Sequence, residues 1–81
     1  ASFLMQQMQW REALEEASSL EDLNALRDQV AASELEGLRA LAQHIDQEQN
    51  FVSAVGQVRA LMFTHRFMHD VEARVDALEH H

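Results

Sequence analysis

Two stretches decide the fold: LEDLNALRDQVAASELEGLRALAQHI (residues 20–45) and, five residues later, FVSAVGQVRALMFTHRFMHDVEARVDAL (residues 51–78). In the first, Leu20, Leu23, Leu26, Val30, Leu35, Leu38, Leu41 and Ile45 recur mostly three and four residues apart, the repeat of a single helix face. In the second, Leu61, Thr64, Met68, Val71, Val75 and Leu78 form a stripe, with Phe51, Val55 and Val58 feeding into it and Phe67 close beside it. Ser19 stands where a cap is needed, and Asp22, three residues on, suits the positive end of the helix dipole. Asn50 is the best cap for the later helix. The short Gln47-Glu48-Gln49-Asn50 connection then forces two helices, each about 40 Å long at 1.5 Å per residue, to run antiparallel as a hairpin.

Working outward, residues 2–17 read as a shorter helix, with Ser2 as its cap and Ser18-Ser19 as its break. Residue usage supports helix throughout: Ala, Leu, Glu, Gln, Arg and Met dominate, and β-branched residues are few. The expected fold is all-α, a three-helix bundle in which a long antiparallel hairpin is packed by a shorter N-terminal helix. On the wheel of this first helix, Phe3, Trp10, Leu14 and Ala17 fall within about 60° of one another and form a core stripe. Leu4, Met5 and Met8 centre about 150° away, while Glu12 and Glu15 flank them, so an apolar patch faces solvent. Phe63 is the corresponding outlier of the last helix, roughly 160° from Leu61. Off-stripe apolar clusters of this kind mark partner sites, and Met favours adaptable binding surfaces. Gly37 and Gly56 fall mid-helix, where close helix packing or plain tolerance is expected.

Composition removes whole classes of function. The chain has 81 residues, which is one small domain. It has no Cys, so disulfides, thiolate metal sites and thiol nucleophiles are excluded within it. With no Pro and two Gly, a glycine-rich phosphate cradle is almost excluded. Acids outnumber bases 14 to 6, and a net charge of -8 argues against nucleic-acid backbones and anionic membranes as partners. No apolar run approaches the roughly 20 residues of a membrane span, and nothing at the start reads as a secretion signal. Absence of Cys fits a reducing compartment, and a cytoplasmic location is expected. Leu78-Glu79-His80-His81 looks like part of a cloning-derived poly-His tag, so residues 1–79 are taken as the domain and the two terminal His are kept out of the chemistry. Ala1 opens directly on helix-forming sequence, so a fragment of a longer protein is expected.

Catalytic chemistry is thin. His65 and His69, four apart, project from one helical face at a spacing that can hold a metal, with His44 on another helix as a conditional third ligand. Without a fixed third ligand the ordinary reading is surface or half-buried His, and no metal or cofactor is expected. Acid pairs such as Glu15-Glu16 and Glu34-Glu36 lie on solvated faces, and Ser18, Ser19, Ser33, Ser53 and Thr64 have no motif around them. No enzyme is expected. Three classes of function stay open on the residues alone: a module that binds a folded protein, a structural module that dimerises through its exposed patch, and a metal-binding bundle.

The run Phe3-Leu4-Met5-Gln6-Gln7-Met8-Gln9-Trp10-Arg11-Glu12-Ala13-Leu14 resembles the first helix of the C-terminal domain of HscB-type co-chaperones, J-domain proteins of bacterial iron–sulfur cluster assembly. Val58-Arg59-Ala60-Leu61-Met62-Phe63, with Phe67 after it, is similar to that family's third helix, and Phe51 stands where an aromatic commonly follows the turn. The resemblance implies a domain that binds the cluster scaffold protein, often called IscU, and delivers it to a dedicated DnaK-like chaperone ATPase. It implies scaffold contacts at Leu4, Met5, Met8, Gln9, Glu12 and Phe63, four of which the wheel leaves outside the core. Family members often carry acids at the positions of Gln6 and Gln9 and a base at that of Met62, so steering by charge is expected to be weaker here. The His-Pro-Asp signature of a J-domain cannot lie in a chain without Pro.

Overall fold

A computed structural model describes residues 3–46 and 51–80, which form three helices: α1 (Phe3–Glu16), α2 (Leu20–Asp46) and α3 (Phe51–Glu79). No strand occurs among the described residues. The break between α1 and α2 comes from side chains that compete for backbone groups. Ser19 Oγ accepts the Asp22 N–H at 3.1 Å, and the Asp22 carboxylate accepts the Ser18 N–H at 3.3 Å. One of the four unpaired donors at the start of α2 is thereby satisfied and the incoming chain is fixed, in the manner of a capping box. Across the same corner, Arg74 of α3 donates to the Ala17 carbonyl at 3.4 Å. The expected caps Ser2 and Asn50, and the turn at 47–50, lie outside the described residues.

Helices α2 and α3 run antiparallel: Gly37 lies opposite Leu61 and Gln57, and three residues back Glu34 lies opposite His65. Gly37 is buried, and a Cβ there would stand 2.8 Å from Leu61 Cδ2 and 2.9 Å from Gln57 Nε2. Close helix approach is therefore the reason for this glycine. Gly56 has nothing within 4 Å of where its Cβ would be, and is simply tolerated.

The core gathers Trp10, Leu14 and Ala17 from α1 and its exit, Leu23, Leu26 and Val30 from α2, and Phe67, Val71 and Val75 from α3, with Met68 packed against them. Trp10 stacks on Phe67 with ring centroids 5.7 Å apart, and the Arg11 guanidinium lies 5.9 Å from the same ring. Each large apolar side chain buried this way contributes about 1.5–3 kcal/mol. Thr64, the one buried polar residue of this region, donates its hydroxyl to the Ala60 carbonyl at 3.0 Å.

The core is shorter than the periodicity implies. Leu35, Leu38 and Ile45 of α2 and Phe51, Val55, Val58 and Leu78 of α3 are exposed, and Leu41 and Leu61 are only half-buried. Leu20 and Phe3 sit at the core's edge rather than in it. The cause is the length of α1: 14 residues extend about 21 Å at 1.5 Å per residue, against 27 and 29 residues in the hairpin. Beyond Gly37 and Leu61 the two long helices have only each other, and a two-helix layer cannot enclose a core. The molecule is accordingly elongated, with principal extents of 48 × 22 × 15 Å.

Candidate functional site

Once Trp10 and Leu14 are turned inward, the 3.6-residue repeat leaves Leu4, Met5 and Met8 on the outer side of α1. They are 65%, 56% and 59% exposed. Phe63, on α3, is 52% exposed. The link between the two helices is Phe3: its ring centroid lies 6.2 Å from that of Phe63, with the planes tilted by 55°. The residue next to Leu4 in sequence thus touches Phe63, although sixty positions separate them. Gln7, Trp10 and Arg11 continue the same junction, lining with Phe63 and Phe67 a cavity of about 100 Å³ between α1 and α3. Gln9 and Glu12 are exposed on α1.

Met62 was not singled out as a contact residue by sequence, yet it is exposed beside Phe63. With Arg59, Phe63 and Arg66 it lines a notch of about 140 Å³. Its place on the wheel, well away from Leu61 and Thr64, carried that signal. The apolar face therefore has Glu12 on its α1 side and Arg59 and Arg66 on its α3 side. Large, soft, exposed side chains with charges at the margin suit docking of a folded surface.

The His residues are arranged differently from a metal centre. His65 and His69 stand edge to face with centroids 5.0 Å apart, and His65 Nδ1 lies 3.7 Å from the Glu34 carboxylate across the hairpin. Among the described residues, the trio of His, Asp and Glu whose ligand atoms come within 4.8 Å of one another is Asp76, Glu79 and His80, all exposed. No helix of the described chain is long and apolar enough to cross a membrane.

Comparison with known proteins gives the chain a family. Residues 1–72 match the family described as the HSCB C-terminal oligomerisation domain. A co-chaperone protein HscB homolog of Cupriavidus taiwanensis is 41% identical over 81 residues, covering 96% of this chain and 46% of the relative. The homolog of Aromatoleum aromaticum is 35% identical over 82 residues, covering 98% and 46%, and that of Pseudoalteromonas atlantica 37% over 83 residues, covering 95% and 47%. The chain thus spans just under half the length of these relatives. No solved structure gave a significant match. The resemblance carried by the Phe3–Leu14 and Val58–Phe63 runs is thereby extended to nearly the whole chain, and the chain belongs to the HscB co-chaperone family, as its C-terminal domain.

Proposed function

We propose that this domain is the part of an iron–sulfur co-chaperone that holds the cluster scaffold protein, presenting it to a DnaK-like chaperone ATPase. The observation that supports this reading most is the exposure of Leu4, Met5, Met8 and Phe63 on two helices joined by the Phe3–Phe63 contact. More than half of each of these side chains stays open to solvent, which leaves a large apolar area able to meet a partner. Gln9 and Glu12 add contacts at the margin, each of small energy because solvent remains around them. The test is titration of labelled domain with the IscU-type scaffold. Replacing Leu4, Met5 and Phe63 together by Ala should weaken binding at least about a hundredfold, since buried interface anchors commonly cost 1–3 kcal/mol each. A triple variant that stays folded and binds with unchanged affinity would refute the assignment.

A second activity, self-association, is favoured by the family's description as an oligomerisation domain and by a second apolar surface on the hairpin, which shares only Met62 and Arg66 with the scaffold face.

A further inference from the structure

Of the hairpin's exposed apolar residues, Leu35, Val52, Phe63 and Leu78 stand apart, but Leu38, Ile45, Phe51, Val55, Val58 and Met62 follow a pattern. On α2, Glu34, Leu38, Leu41 and Ile45 follow one another at intervals of four, three and four. On α3, Phe51, Val55, Val58, Met62, His65 and His69 follow at four, three, four, three and four. Both series are heptad repeats, and both are out of register with the core series Leu23-Leu26-Val30 and Thr64-Phe67-Val71. On the wheel the α2 series lies about 60° from Leu23-Leu26-Val30, and the α3 series about 110° from the side of α3 that carries Gln57, Leu61 and Thr64. Those rotations carry the two series to the same side of the hairpin. There Leu38, Leu41, Val58, Leu61 and Met62 line one groove of about 600 Å³. Glu34, His65, Arg66 and His69 close it at one end. Phe3 and Gln6 line the other side of the hairpin together with Gly37, Ala60 and Thr64, so α1 and this groove are on opposite faces.

We infer that this second seam is the surface through which a second copy of the chain packs, two hairpins together making a four-helix bundle. The proposal rests on the self-association reading above and supplies its surface. Heptads on both helices of a hairpin are what a pair of hairpins needs: each apolar residue enters a gap between four residues of the facing copy. A two-fold axis lets the same face serve both partners. From Phe51 to His69 the seam runs about 27 Å at 1.5 Å per residue, and two helices of about 10 Å diameter give it width. A doubled face of that size buries on the order of 1,200 Å², the lower end of what a stable dimer requires. The middle of the seam, from Leu38 to Ile45 and from Phe51 to Met62, contributes only apolar side chains. The Glu34–His65 pair, 3.7 Å apart, forms a polar layer at its end, a device that sets register. A chain of net charge -8 repels its copy over the rest of its surface, so association should tighten as salt is raised.

Sedimentation equilibrium of the 81-residue chain, from low micromolar to several hundred micromolar, tests the proposal. The expected result is a rise from 9.3 kDa towards twice that mass, steeper in high salt. Leu38→Glu, Val55→Glu and Val58→Glu together, none of them on the face that carries Phe63, should shift dissociation about a hundredfold or more, with helicity by circular dichroism unchanged. Should that triple variant unfold, Val55→Glu alone, at an exposed position, should still shift it at least tenfold. A chain that stays at 9.3 kDa throughout defeats both self-association and its surface. A dimer that survives the seam substitutions but is lost with Leu4→Ala, Met5→Ala and Phe63→Ala leaves self-association standing and overturns the seam. A monomer whose affinity for the cluster scaffold falls with the seam substitutions gives the groove to that partner and overturns the second copy.

Discussion

Gly37 and Gly56 are both mid-helix, and their surroundings make opposite predictions. At Gly56 no atom stands within 4 Å of an added Cβ. Gly56→Ala should therefore gain the helix-propensity difference of about 0.5–1 kcal/mol, raising Tm by roughly 4–8 °C per kcal/mol for a domain of this size. At Gly37 the same methyl meets Leu61 Cδ2 at 2.8 Å and Gln57 Nε2 at 2.9 Å. Both atoms end flexible side chains and can give way, so the gain and the displacement should nearly cancel and leave Tm little changed. Gly37→Leu has no such outlet and should lower Tm by well over the gain seen at Gly56. Thermal unfolding of the three variants checks the ordering, and a Gly37→Leu protein as stable as the parent would mean that the helices do not approach closely there. The aromatic residues divide the same way. Phe67, stacked on Trp10 and buried, should cost about 3–5 kcal/mol as Phe67→Ala, whereas Phe63→Ala, half-exposed and touching Phe3, should cost about 1 kcal/mol or less. The pair was legible in part before any coordinates. The wheel put Phe67 near the core and Phe63 outside it, but it also put Phe3 inside, where the structure finds it at the edge against Phe63.

At the level of elements, what could be read from sequence is what local chemistry determines. The Ser18-Ser19 break and the Ser19 cap appear in the structure as read, while Asp22, read only as a charge at the positive helix end, also accepts the Ser18 N–H. Ser19→Ala should accordingly cost about 1 kcal/mol, and Asp22→Ala a similar amount, measured by urea denaturation with unchanged slope. A double variant should cost less than the two single losses added, because each side chain helps hold the same corner. What could not be read is which of two heptad series is the core. In α2 the leucines of both series blend into one list, since positions three and four apart serve either. The choice is made by α1, whose 14 residues cover only one stretch and one side of the hairpin. Leu23, Leu26 and Val30 are buried because Trp10 and Leu14 reach them; Leu35, Leu38 and Ile45 are exposed because nothing does. Tertiary cover of this kind is invisible to a wheel drawn one helix at a time. The exposure of Leu4, Met5 and Met8 was legible because they sit on a helix with charged neighbours, where an apolar face stands out. Met62 escaped notice because α3 is apolar on both sides.

For the whole molecule, holding a partner and triggering an ATPase are separable tasks, and the chain carries residues for one of them. Apolar side chains are exposed on α1 and α3, where the proposed partner would be held. The His-Pro-Asp signature through which a J-domain acts is absent, since the chain has no Pro. The domain on its own should therefore leave the DnaK-like chaperone at its basal rate in a single-turnover assay. Its effect in a complete mixture should be inhibitory. Added in excess to full-length co-chaperone, scaffold and chaperone, it occupies scaffold without delivering it, so the stimulated rate should fall along a curve whose midpoint follows the domain's own affinity for the scaffold. Extra scaffold should restore the rate, as competition requires, and the Leu4→Ala, Met5→Ala, Phe63→Ala variant should not inhibit at concentrations where the parent does. Stimulation by the isolated domain would place an ATPase-activating surface among these three helices. Inhibition that the triple variant retains would mean that the domain meets the chaperone machinery through some other face.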